Sequence, residues 1–335
     1  MKEAWRKYAI AFALLMAVII SLVACGGNIS KNMESADTPT VQPSDTNLSD
    51  EGPQDDLQMN SSKDYPEQVQ PETIYKVSRS TTYYADGSVE SWSECNYDDN
   101  GNQLSEKYYR ADGSVYYQTE NTYDDKGNQL SSKITDSNSY SFWYKYTYDD
   151  NGNMLSSSSY NDRSQPHLDE EYAYDDESNM ISSKRYDVQG ALSSWSEYTY
   201  DDNGNTLSYK SYDADGTLRS WSEYTCDDDG NGLRKGYSAD GSLSFWEEYT
   251  YDGSGHELSY KRVFADGSID SWYESTYDDS GNVQSIKHYN TDGSVNFIEA
   301  YNEQGNLECI YFYYRSGAIS GWREYEYQAF IINAQ

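Results

Sequence analysis

From Thr73 onward, polar and apolar residues alternate with a period of two. The alternating runs are eight or nine residues long, rich in Tyr, Trp, Ser and Thr, and broken at regular intervals by glycine-containing turns. Alternation of this kind predicts half-buried β-strands, because successive side chains point to opposite faces of a sheet. Two turn signals recur. One is Tyr-Asp-Asp-Asn-Gly-Asn, as at Tyr97–Asn102, Tyr148–Asn153 and Tyr200–Asn205; the other is Ala-Asp-Gly-Ser/Thr, as at Ala85–Ser88, Ala111–Ser114 and Ala214–Thr217. Asn-Gly and Asp-Gly accept positive φ and predict tight hairpins of type I′.

The pattern is repetitive. Equivalent positions fall at Tyr97, Tyr123, Tyr148, Tyr174, Tyr200, Cys226, Tyr251, Tyr277, Tyr301 and Tyr327, at spacings of 24 to 26 residues. A fixed period of this length marks units that bury their faces against their neighbours. Two strands in each of about ten repeats predicts about twenty strands. The expected fold is all-β: an antiparallel hairpin meander forming an open, twisted sheet or solenoid.

Register follows from the turns. With Asn203-Gly204 as a two-residue turn, Asp202 faces Asn205, Tyr200 faces Leu207, Glu197 faces Lys210 and Trp195 faces Tyr212. An apolar, an ionic and an aromatic pair then coincide, and such directly opposed pairs stabilise antiparallel sheets. The face of Leu192, Tyr198, Tyr200 and Leu207 is the expected core. The opposite face carries Trp195, Glu197, Thr199, Lys210 and Tyr212. One slot on that face holds Trp92, Trp143, Trp195, Trp221, Trp246, Trp272 and Trp322, and Gln118, Asp169 and Asn296 fill it in the remaining repeats. A row of indoles beside acidic and hydroxyl groups is a candidate surface for stacking sugar rings, and these seven tryptophans are the candidate ligand-binding residues. Packing of one sheet face is the plainer account of the same row.

The N-terminus has a different pattern. Lys2, Arg6 and Lys7 precede an apolar stretch from Ala9 to Ile20, followed by Leu22-Val23-Ala24-Cys25. A charged flank, a short apolar core and small residues before a cut describe an exported, cleaved segment. The expected organisation is a signal segment at 1–24, a tether at 25–72, a repeat domain at 73–330 and a short tail at 331–335. Residues 26–72 hold five of the six prolines and lack periodicity, as a flexible linker does. Such a coil would span roughly 40 Å on average.

Composition narrows the partners. The formal net charge is −33, and the signal segment is itself positive. So acidic a surface repels nucleic acid and anionic lipid headgroups. The 37 tyrosines supply the apolar mass that strongly acidic disordered chains lack. Cys95, Cys226 and Cys309, an odd set at irregular spacing, argue against a disulfide framework; Cys95 and Cys226 read as small apolar replacements for tyrosine. No cofactor is expected, beyond weak Ca²⁺ association with the acidic turns, whose Asp, Asn and Gly the turn chemistry already requires. His167, His256 and His288 occupy unrelated slots, and no nucleophile elbow or metal-ligand spacing is present, so no enzyme activity is expected.

Two resemblances complete the reading. The Leu22–Cys25 segment resembles the signal of bacterial lipoproteins, which implies that Cys25 becomes the acylated, palmitate-bearing first residue of the mature chain. Membrane attachment through that anchor, on the outer face of a Gram-positive cytoplasmic membrane, follows from the resemblance. The repeats resemble the RHS/YD-repeat family, whose signature Tyr-Asp-x-x-Gly-Asn plus an apolar residue appears as Tyr97–Asn102 with Leu104 and recurs at Tyr123, Tyr148, Tyr200 and Tyr277. It degrades at Tyr174–Asn179, and the Tyr251 copy ends in His256. The family implies a spiralling antiparallel sheet. The expected function is a non-catalytic binding or adhesion module whose partner is a cell-wall or host polysaccharide, or a surface protein. The alternatives are a structural spacer or scaffold of the envelope, and a partner of an RHS-type toxin.

Overall fold

The computed structural model describes residues 72–162, 167–227 and 230–332, so the Cys25 acylation site, the signal and the tether lie outside the described residues. Twenty strands run from β1 (Glu72–Tyr84) to β20 (Ile319–Ile332), each antiparallel to the next. The hairpins begin at their turns. In the turn after β10 (Leu192–Tyr200), Gly204 N–H donates to the Asp201 carbonyl and Asp201 N–H to that of Asn205. Gly204 has φ 83°, whereas Asn203 is not among the positive-φ residues. This is a type I turn closed by a glycine bulge, not the type I′ turn expected from Asn-Gly. The Asp201 side chain builds it: Oδ1 accepts from the Asn203 and Asn205 amides, and Oδ2 from the Asn205 side-chain amide at 3.0 Å. The first Asp and last Asn of the motif therefore satisfy turn donors that no strand reaches.

That geometry moves the register next to the turn. In the pair with β11 (Thr206–Asp213), Trp195 lies opposite Tyr212 and Glu197 opposite Lys210, as expected. Nearer the turn a bulge pairs Tyr200 with Thr206, not Leu207. Leu207 is left 46% exposed and does not belong to the core. The same offset leaves Leu104, Leu130, Leu155, Ile181 and Leu258 exposed. Leu192 likewise pairs with Tyr186 beyond a bulge and leaves the Tyr198 face. The ladder is present on both sides of residues 163–166, with Ser156 opposite Glu171 and Ser159 opposite His167.

Tyrosine hydroxyls tie the hairpins together. Tyr97, Tyr123, Tyr148, Tyr174, Tyr200, Tyr277 and Tyr327 each donate to a backbone carbonyl about one repeat earlier, at 2.6–2.9 Å. Each bond contributes on the order of 1 kcal/mol, and together they hold successive hairpins in step.

The sheet does not stay open. β1 and β20, the longest strands at 13 and 14 residues, pair from Glu72 with Ile332 to Tyr84 with Gly321. β1 also pairs with β2 (Val89–Tyr97), so the sheet returns on itself as a closed barrel. Following paired residues once around gives a stagger of about 18 residues, which for twenty strands implies a backbone radius of roughly 17 Å. Strands whose backbones approach closely are in every case hydrogen-bonded neighbours. No such backbone approach joins opposite walls, and the extensive apolar burial of the expected core is absent. Among the described apolar side chains only Tyr249, Val263 and Cys309 are buried.

The two faces of the wall differ. Burial is the chief cause of the raised pKa at Tyr198, Tyr224 and Tyr249. On the opposite face Tyr186 and Tyr237 are shifted first by hydrogen-bonded Glu171 and Glu223. Rings on the crowded face run in an unbroken chain from Tyr249 through Tyr260, Tyr273, His288 and Phe297 to Phe312. Side chains converge on the concave side of a barrel, so this face is the inner wall. The tryptophan face is therefore outward. It carries Glu–Lys pairs at mid-strand, where a lipid-facing barrel wall needs an apolar band.

Candidate functional site

The outward tryptophans form a girdle near one rim. The alternation that sends Tyr198 inward sends Trp195 outward, and the hairpin register sets a tyrosine of the next strand opposite it. Trp195–Tyr212 and Trp221–Tyr237 stack with centroids 4.1 Å apart, Trp272–Tyr289 at 3.6 Å. Trp92–Tyr109, Trp143–Tyr160 and Tyr83–Trp322 stack at 5.0–5.3 Å. Trp246 breaks the series by lying opposite Val263, which is only 4% exposed. Every one of the seven indoles is partly exposed.

Polar side chains rim the girdle. Tyr186, Tyr212, Tyr237 and Tyr289 donate their hydroxyls to Glu171, Glu197, Glu223 and Glu274 at 2.5–3.1 Å. Trp246 and Trp322 donate Nε1–H to Glu248 and Glu324. Arg79 and Lys133 stand over the Trp92 and Trp143 rings, 5.4 and 5.5 Å from the centroids. Trp92 and Trp322 also reach across to the turn glycines Gly113 and Gly87. The arrangement offers aromatic surface flanked by carboxylates and hydroxyls, and contains no nucleophile poised beside a base.

The structure groups these residues unevenly. Trp195, Trp221, Trp246 and Trp272 sit on alternate strands β10, β12 (Leu218–Cys226), β14 (Leu243–Tyr251) and β16 (Ile269–Tyr277), an arc with steps of about 10 Å. Closure brings Trp322 on β20 two strands from Trp92 on β2, a neighbourhood a linear repeat does not reveal. Trp143 stands apart, flanked by the Gln118 and Asp169 positions.

The acidic turns are engaged by their own chains. The capping carboxylates of Asp124, Asp149 and Asp201 are held below the usual Asp range, chiefly by the Asn128, Asn153 and Asn205 side-chain amides. Among the described residues no group of three or more His, Cys, Asp or Glu could hold a metal ion. His256 substitutes for the turn Asn, with Nδ1 2.8 Å from Asp252. His288 lies in the inner ring chain, and the His167 backbone pairs in the ladder. Cys309 is buried, and Cys95 is half-buried with its thiol pushed up to about 12 by burial and Glu106. Cys226 is exposed and disulfide-bonded, so it is not the small apolar replacement for tyrosine expected from the sequence.

Sequence reasoning missed an inner cluster. Glu247, 3% exposed, accepts from Arg234 Nη1 at 3.1 Å, Arg262 Nη1 at 3.3 Å, and the Tyr249 and Tyr260 hydroxyls at 3.2 Å. Its signal lay in the departure of Phe245-Trp246-Glu247-Glu248 from the Ser-Trp-Ser-Glu of Ser194–Glu197.

The titrations give a pH prediction. Burial pushes the phenols of Tyr146, Tyr200 and Tyr251 up to about 12. An unfolded tyrosine ionises near 10, so their contribution is fully present below about pH 10 and lost as pH rises toward 12. The capping aspartates act oppositely: their contribution is present above about pH 4 and lost below it. Thermal melts by circular dichroism should be level between these limits and fall on both sides. A melt unchanged at pH 12 would show that burial of these neutral phenols adds nothing to stability.

Fold and site define a closed, twenty-stranded antiparallel repeat barrel with an outward aromatic girdle. No protein-family model matches the sequence, and no curated protein matches it. Solved structures give low-similarity alignments. A Photorhabdus luminescens Tc holotoxin pore with a TccC3 variant aligns at 14% identity and TM-score 0.28, over 71% of this chain and 17% of that one. This chain therefore spans about a sixth of the toxin chain's length. A porin-like protein from Bacteroides uniformis aligns at 10% identity and TM-score 0.35, over 75% of this chain and 96% of its own.

Proposed function

We propose that this protein is a lipid-anchored, extracytoplasmic member of the RHS/YD-repeat kind that acts as a non-catalytic binding module for cell-surface polysaccharide. The supporting observation is the arc of four partly exposed indoles, Trp195, Trp221, Trp246 and Trp272, with a carboxylate beside each of Trp195, Trp221 and Trp246. Platforms repeated at about 10 Å suit a ligand that is itself a chain of rings. Several weak contacts along one chain give avidity without a deep pocket. The long tether would let the barrel reach such a chain while Cys25 stays anchored.

The test compares full-length protein with Trp195→Ala, the Trp195/Trp221 double variant and the Trp195/Trp221/Trp246 triple variant for sedimentation with insoluble peptidoglycan. Each substitution should weaken binding by up to about tenfold, with only a modest drop in melting temperature. Undiminished binding by a folded triple variant would remove the girdle from the account. A large loss of stability without prior binding would instead favour the scaffold reading.

A further inference from the structure

A cavity of about 450 Å³ is set into the inner wall over the closing seam, beneath β20, β1, β2 and β3 (Gln103–Arg110). Its floor is hydroxyl-lined: Thr82 and Ser93 are buried, and Ser80 and Ser93 share a hydrogen bond at 2.9 Å. Its sides are aromatic, with Tyr97, Tyr108 and Tyr325 among the lining residues. At one end stands Arg323, whose Nε donates to Thr82 Oγ1 at 2.9 Å. At the other, three strands away, Glu106 accepts from Gln103 at 3.2 Å.

Arg323 is the informative residue. The other inward arginines are each matched to a carboxylate: Arg185 to Glu170, and Arg234 and Arg262 to Glu247. Arg323 has none among the described residues, in a chain with 57 acidic and 24 basic side chains. Arg323 lines the cavity, and its hydrogen bond to Thr82 uses Nε and neither Nη. A guanidinium with both terminal nitrogens free presents the planar fork that takes a carboxylate bidentately. Tyrosine sides suit the apolar face of a sugar ring, and the seryl and threonyl floor with Glu106 suits its hydroxyls. The volume lies in the range of small-molecule sites.

We propose that this cavity binds an acidic saccharide, a uronic acid of one or two rings, with Arg323 holding its carboxylate. The ligand would enter through the lumen and bridge β20, β1 and β2, so binding would also fasten the seam. The inference does not rest on the outward girdle, although Trp92 of that girdle is also among the lining residues.

Isothermal titration calorimetry of the full-length protein with digalacturonate tests it, with lactose and acetate as comparison probes. Saturable binding of digalacturonate is expected, at least about tenfold tighter than either comparison, since each lacks half of the recognised chemistry. Arg323→Gln should weaken it by at least about tenfold, and Arg323→Lys, which keeps the charge but loses the fork, by a smaller factor. Circular dichroism melts confirm that each variant is folded; should the Gln variant fail to fold, the Lys variant decides. Absence of saturable heat at millimolar digalacturonate, equal affinity for acetate or lactose, or unchanged affinity in a folded Arg323 variant would each overturn the proposal.

Discussion

Gly321→Ala is expected to destabilise the barrel by about 3 kcal/mol and to open it at the seam. Gly321 lies on β20 opposite Tyr84, in the strand pair that closes the sheet. A Cβ there would lie 2.4 Å from the Tyr83 carbonyl oxygen, with the Tyr83 carbonyl carbon and Tyr84 Cα also within 4 Å. These are backbone atoms of a paired strand, so they cannot rotate aside as a side chain can. Relief requires the strands to part, and every inter-strand bond near the site weakens together. Gly190→Ala is the control: it sits at φ 79° with nothing within 4 Å, so only local turn strain of about 1 kcal/mol is expected. Urea midpoints measure the difference. Equal midpoints for the two variants would mean that the seam is not closed as described.

Glu247→Ala has the second large effect, a loss of about 3 kcal/mol. The Glu247 side chain is 4% exposed, against 20% for Arg234 and 32% for Arg262. Removing the carboxylate leaves two guanidiniums facing one another over Phe245, whose ring lies 5.1 Å from one and 4.0 Å from the other. Arg262 keeps Asp270 at 3.4 Å, so the cost comes chiefly from the orphaned Arg234 charge and should fall when that charge is also removed. Arg234→Ser combined with Glu247→Ser should therefore cost less than the sum of the two single substitutions. Strict additivity in that cycle would show that the contacts carry no coupling energy.

Some of this was readable in the sequence. Glu197 with Lys210 and Trp195 with Tyr212 gave the mid-strand register correctly, because charge and ring chemistry agreed at positions remote from the turn. Next to the turn the reading slipped: Asn-Gly fits both the type I′ turn and the bulged type I turn, and the Asp201 cap selects the second. That one-residue offset takes Leu207 out of the expected core. Closure was hidden for a related reason, since every strand of a meander carries the same alternation and none announces an edge. The available signal was Gly321-Trp322 where other repeats have Ser-Trp or Phe-Trp, because only glycine tolerates the approach of Tyr83. The inner cluster was likewise encoded by coordinated departures. Phe245 and Glu247 replace serines, and across the hairpin Gly236 makes room, since a Cβ there would meet the Phe245 ring at 2.3 Å. The seam cavity needed closure to exist at all, as its residues come from both ends of the chain.

Hydrogen exchange of the full-length protein, resolved by strand, tests the closed barrel most directly. The account predicts that β1 and β20 amides exchange as slowly as those of β10 and β11, since each seam strand has two paired neighbours. Fast exchange confined to the β1 and β20 amides that face one another, with the other strands protected, would contradict it and return the sheet to an open form.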